Sequence, residues 1–118
     1  MRPLLLFVHS ADDGRLRSAA ALAAGAVATG REATLVWEGP ALRRLAAGEL
    51  PELGPAGLPG AAALLRESAR LGGLRQVACP TALVAEGLDP AAPPAALDGV
   101  EAIASLLERL DRSSALYL

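Results

Sequence analysis

Four short apolar runs, separated by alanine- and leucine-rich stretches, leave this chain few ways to fold. Pro3 to His9, Glu32 to Trp37, Leu74 to Ala78 and Ser114 to Leu118 read as strands, since a short apolar run closed by polar residues suits a strand buried on both faces. Helical spacing fills the intervals. Asp12 or Asp13 can cap a helix that places Leu16, Ala20, Ala23 and Val27 on one face and runs to about Thr29, where Gly30 stops it. Ala41 to Ala47 reads as a short helix closed by Gly48. Pro59 is expected to be the first residue of the next helix, with Ala61, Leu64, Leu65 and Ser68 facing inward and Gly72-Gly73 at its end. Pro80 to Glu86 makes another short helix, stopped by Gly87. The proline-rich connection Ala91 to Ala96 leads towards a very short strand near Leu97. Val100, Ile103, Ala104, Leu107 and Leu110 then define the inner face of a last helix, capped by Asp98. Strands alternating with helices dictate a parallel sheet covered on both sides. The expected class is α/β, a three-layer α/β/α sandwich with a four- or five-stranded parallel sheet.

A chain of 118 residues has room for one domain, spanning 1–118. Phe7, Trp37 and Tyr117 are its only aromatic residues, so the core must be built from Leu, Val and Ala. There is no lysine, which removes Schiff-base chemistry and the phosphate-loop lysine. All positive charge is arginine, a bias that reads as a GC-rich, bacterial coding sequence. The net charge is −2 with both signs mixed along the chain, which argues against a nucleic-acid partner. No apolar run reaches the ~18 residues of a membrane span, and Pro3 to Val8 is too short for a signal-peptide core. The expectation is a cytoplasmic protein with no membrane partner. Its single cysteine, Cys79, is then a free thiol.

Ligands of open parallel sheets bind beyond the carboxyl ends of the strands, near the point where strand order reverses. Three apolar runs end in candidate groups: His9-Ser10, Trp37-Glu38-Gly39 and Cys79-Pro80-Thr81. Cys79 is the last residue of its strand, and Pro80 is a typical first residue of a helix. A thiol at that junction faces free N–H groups and the positive end of the helix dipole, both of which favour the thiolate. The alternative is a buried cysteine acting as a small hydrophobe. Ala82 stands where a C-x-x-C redox pair needs its second cysteine, and Ala85 where the C-x5-R loop of cysteine phosphatases and rhodanese-type enzymes needs arginine. A single nucleophile without such machinery suits a carrier that holds a persulfide or forms mixed disulfides. His9, the only histidine, can orient a ligand or act as a base, or be simply a solvated strand-end residue. Ser10 lacks an activating base, because its neighbour His9 points the other way on a strand. Glu38 is a candidate for the same rim as Cys79 and has the alternative of a solvated loop acid. One His and one Cys cannot make a structural zinc shell, so neither metal nor cofactor is expected. The segment Leu50 to Gly60, with three prolines and three glycines, is expected to be an irregular loop; it follows no strand and lacks the spacing of a nucleotide motif.

Several segments together resemble the DsrE/DsrF-like family of small sulfur-relay proteins. The run Leu74 to Leu88, containing Cys79-Pro80-Thr81, is similar to the family's cysteine strand and following short helix. Ala33 to Ala41 resembles its second strand and acidic-glycine turn, and Leu110 to Tyr117 its final helix-to-strand step. The resemblance implies a five-stranded parallel sandwich and oligomers, often trimers or hexamers. It also implies that Cys79 receives sulfur as a persulfide from a donor protein and passes it to an acceptor protein. Many members have no established activity, and a non-catalytic oligomeric binding module of the same fold, with Cys79 merely packed, is the competing expectation.

Overall fold

The computed structural model describes residues 1–118. In chain order the elements are β1 (Leu4–Val8), α1 (Asp13–Ala28), β2 (Ala33–Trp37), α2 (Gly39–Ala46), α3 (Ala61–Leu71), β3 (Leu74–Ala78), α4 (Pro80–Ala85), β4 (Gly99–Val100), α5 (Ile103–Leu110) and β5 (Ser114–Tyr117). Five strands form one sheet in the order β4-β3-β2-β1-β5, and every pairing is parallel. The architecture is the α/β sandwich expected from the alternation of elements. No helix is long and apolar enough to cross a membrane.

Side-chain alternation divides the strands between two unequal layers. Leu4, Leu6 and Val8 of β1, with Ala33, Leu35 and Trp37 of β2 and Ala78 of β3, join the larger core. Helices α1 to α4 all contribute to it, through residues such as Leu16, Ala20, Leu42, Leu65 and Leu83. Alanines along α1 (Ala19, Ala20, Ala23, Ala26) let its backbone lie close to the sheet and to α3. The opposite face carries Leu5, Val36 and Val77, and the only helical residue buried against them is Leu106 of α5. One eight-residue helix therefore covers what four helices cover on the other side.

Helix α5 is held by charge as well as by Leu106. Glu101, immediately before it, receives Arg75 Nε of β3 at 3.0 Å and Arg109 Nη2 of α5 at 2.6 Å. Burial pushes the Glu101 carboxyl up, but hydrogen bonds from Arg109 and Arg75 outweigh it, and the group lies below its ordinary value. Its contribution is thus complete above the usual carboxylate range and is lost as pH falls through the lowered folded-state value.

Several local expectations are corrected. The inner face of α5 is not the one drawn from Ile103, Ala104 and Leu107. All three are exposed, Ile103 by 54% and Leu107 by 57%, and Leu106 points inward instead. Val100 lies in β4 rather than in the helix, and β4 sits at Gly99–Val100 rather than at Leu97. Asp98 caps no helix: its carboxylate accepts from the Gln76 N–H at 2.7 Å and its own N–H donates to Gln76 O, prolonging the β3–β4 contact. Pro59 is not helical; α3 starts at Ala61, and Pro59 bridges Leu53 across the loop instead. That loop contains a short 3-10 turn at Pro55–Gly57, and Gly60 turns where a Cβ would lie 2.4 Å from Pro51 O.

The unequal layers set the expected cost of truncation. Leu35→Ala, on the fully buried side, should lose about 2–5 kcal/mol in urea unfolding. Glu101→Ala, which strands two arginines, should lose about 1–3 kcal/mol. Leu107→Ala should change the midpoint hardly at all, because the side chain is mostly in water already.

Candidate functional site at the carboxyl rim of the sheet

The strands β1, β2, β3 and β5 run parallel and so end on one rim. On the α5 side of that rim lies a cavity of about 240 Å3. Phe7 from β1, Val36 and Trp37 from β2, Cys79 after β3 and Tyr117 from β5 line it, and α5 closes it with Ile103, Leu106, Leu107 and Leu110. Ala82 and Glu38 complete the wall.

The site follows from the alternation of β3. Arg75 reaches Glu101 beside α5, Val77 packs under Leu106, and two residues further on Cys79 falls on the same face. Pro80 begins α4 directly afterwards, so Cys79 occupies the N-cap position with extended φ and ψ. Its Sγ accepts the Ala82 N–H at 3.3 Å. That donor is one of the amides of a helix's first turn that have no partner within the helix. The thiol is half-buried: it packs against the Leu106 cluster and also faces the cavity.

Glu38 shares the cavity wall with Cys79. Its carboxylate accepts a hydrogen bond from the Tyr117 hydroxyl. The Tyr117 ring stacks on Phe7, with centroids 5.3 Å apart and planes 13° from parallel, a favourable arrangement for two aromatic rings. The Glu38 hydrogen bond first, then burial, raises the Tyr117 hydroxyl to about 12 from its ordinary 10.0.

The remaining candidates, His9, Ser10, Pro80 and Thr81, do not line this cavity. His9 ends β1 and its ring lies over Gly39, where a Cβ would be 2.6 Å from the ring; Gly39 has φ +57 as well, so the residue closes this turn on both counts. Ser10 Oγ accepts the Asp12 N–H at 3.1 Å, and Asp12 in turn caps α1 through the Arg15 N–H. Pro80 and Thr81 are exposed on the first turn of α4. No group of three or more His, Cys, Asp and Glu side chains comes together as a metal site.

Tyr117, Phe7 and the α5 residues are the site members that the sequence reading does not single out. Their signal is faint: two of the three aromatic residues in the chain stand at the ends of its first and last strands. That becomes informative only once β5 is known to lie beside β1.

No protein-family model matches the chain, and no curated protein matches it either. Solved structures do. The chain superimposes on MTH1491 from Methanobacterium thermoautotrophicum, a protein of unknown function, with a TM-score of 0.69 and 13% identity over the whole of both chains. It superimposes on the YchN protein from E. coli with a TM-score of 0.62 and 17% identity, again over both full lengths. The chain shares its fold with these two proteins. At such identities the likeness concerns the fold.

The Glu38–Tyr117 pair has a measurable signature. In an ultraviolet titration Tyr117 should ionise near 12, and in Glu38→Gln it should move back towards 10. The stabilisation from this hydrogen bond should be complete below pH 10 and disappear as pH rises through about 12. Ionisation of Tyr117 unchanged by Glu38→Gln would contradict the pairing.

Proposed function

We propose that this protein carries sulfane sulfur on Cys79, taking it from a donor and handing it to an acceptor protein. One observation carries the reading: the only thiol of the chain stands at a helix start, accepts a backbone N–H, and faces an open cavity on the rim of the sheet. The chemistry needs little more. The Cys79 thiolate attacks the outer sulfur of a donor persulfide, a new S–S bond forms, the old one breaks, and the donor thiolate leaves. Nothing is oxidised or reduced overall. Transfer to an acceptor thiol is the same step with the roles exchanged. In this reading the surrounding groups His9, Ser10, Pro80 and Thr81 border the rim where a partner protein delivers or collects sulfur, and Glu38 contributes to binding from the cavity wall. The fold shared with MTH1491 and YchN is compatible with a sulfur-relay protein.

One observation favours a second reading, a non-catalytic module that assembles into a homo-oligomer. Ile103 and Leu107 of α5, on the wall of the open cavity, are apolar and exposed, and such residues are suited to an assembly surface. Cys79 would then serve packing alone.

Incubation with a sulfane-sulfur donor separates the two. Wild-type protein should gain the mass of one sulfur atom, lost on treatment with dithiothreitol, and Cys79→Ser should gain nothing. Absence of the adduct on wild type, together with a thiol that labels only after unfolding, would establish the packed cysteine instead.

A further inference from the structure

The wall of the cavity beside Cys79 has a one-sided chemistry. Ten of its eleven lining residues are apolar, and the eleventh is Glu38. The nearby cations are engaged elsewhere. Arg43 pairs with Glu86, Arg44 with Asp13, and Arg75 and Arg109 with Glu101. None of the four lines the cavity. The Glu38 carboxylate accepts a hydrogen bond from Tyr117 and has no arginine partner.

From this we infer that the site selects small apolar sulfur compounds that carry no negative charge, and rejects anionic ones. The inference deepens the sulfur-carrier reading and rests on it for its biological meaning. Two physical terms point the same way. An apolar group gains by leaving water against Phe7, Leu106, Leu107 and Leu110, at about 25 cal/mol per Å2 of surface buried. An anion entering the same space loses hydration, meets no cation, and is repelled by Glu38. The volume of about 240 Å3 lies under the roughly 300–1,000 Å3 of pockets for drug-sized ligands. The fitting substrate class is therefore a small alkyl or aryl hydropersulfide taken in its protonated, neutral RS–SH form, the persulfide anion being excluded with the other anions. Its transfer step balances without a further reactant: the Cys79 thiolate takes the terminal SH of the hydropersulfide as its own S–SH, and the alkyl or aryl thiolate departs. Thiosulfate and peptide persulfides rich in carboxylates fall outside the class.

Methanethiosulfonates of matched reactivity test the selection directly, because they report access to the thiol whether or not a persulfide forms. Each transfers its S–R group to Cys79 and releases methanesulfinate. Rate constants for the benzyl, 2-aminoethyl and 2-sulfonatoethyl reagents would be measured on the folded protein and divided by those on the urea-unfolded chain. The benzyl reagent should exceed the sulfonatoethyl reagent by about tenfold or more in this ratio, with the cationic aminoethyl reagent also ahead of the anion. Glu38→Gln should narrow the cation–anion gap, since it removes the charge and keeps the shape. Ile103→Glu, at an exposed position on the mouth, should widen the gap. Equal normalised rates for benzyl and sulfonatoethyl reagents, or a gap that neither variant moves, would overturn the selection. A failed persulfide assay alongside selective labelling would instead remove the carrier reading and leave an apolar, anion-excluding site.

Discussion

The hold of one short helix on one face of the sheet governs most of what this molecule can do. Helices α1 to α4 share the opposite face and bury the larger core there. On its own face α5 stands alone, with Leu106 as its buried contact and the Arg75–Glu101–Arg109 cluster as its anchor. At the carboxyl rim this single helix does not fill the space over the sheet, and Phe7, Tyr117 and Cys79 are left around a cavity that α5 lines along its length.

This arrangement ties the chemistry of the site to the stability of the fold. Cys79 packs against the cluster of Val77 and Leu106, accepts a hydrogen bond from the first turn of α4, and faces the cavity. The opposite wall is built from the last strand, through the Tyr117 ring stacked on Phe7 and tied to Glu38. Part of the cavity wall, Phe7, Val36, Leu106 and Leu110, also belongs to the minor core, so a polar residue at any of those four positions would loosen α5. The sulfur-carrier reading and the selection of uncharged apolar compounds both draw on this overlap of core and site.

Much of the fold was legible because each element announced itself locally. Leu4 to Val8 and Ala33 to Trp37 are apolar throughout, as central parallel strands must be, and Gly30, Gly48 and Gly87 stop helices with positive φ. The misreadings occur where two local rules compete. Asp98 has the chemistry of a helix cap, but a free N–H on the edge of β3 claimed it first. Pro59 suits the first position of a helix, yet the bridge to Leu53 holds it extended and lets Gly60 make the turn. The apolar positions of α5 fit a helix periodicity twice over, and only the sheet beneath could choose Leu106 over Ile103 and Leu107. For the site, Cys79 and Glu38 could be found as strand-end residues. Tyr117 could not, because its contact with Glu38 crosses 79 positions of sequence.

Patterns of adjacent residues determined the class of fold, the strands, most helix limits and the presence of one unpaired thiol at a strand-to-helix junction. These depend on backbone conformation and side-chain periodicity, which a few neighbours settle among themselves. The order β4-β3-β2-β1-β5, the single helix over one face and the closing of an apolar cavity by the last strand were decided by tertiary structure. Each of those requires burial to be shared between segments far apart in the chain, and the free energy of such burial belongs to the packed assembly rather than to any one segment.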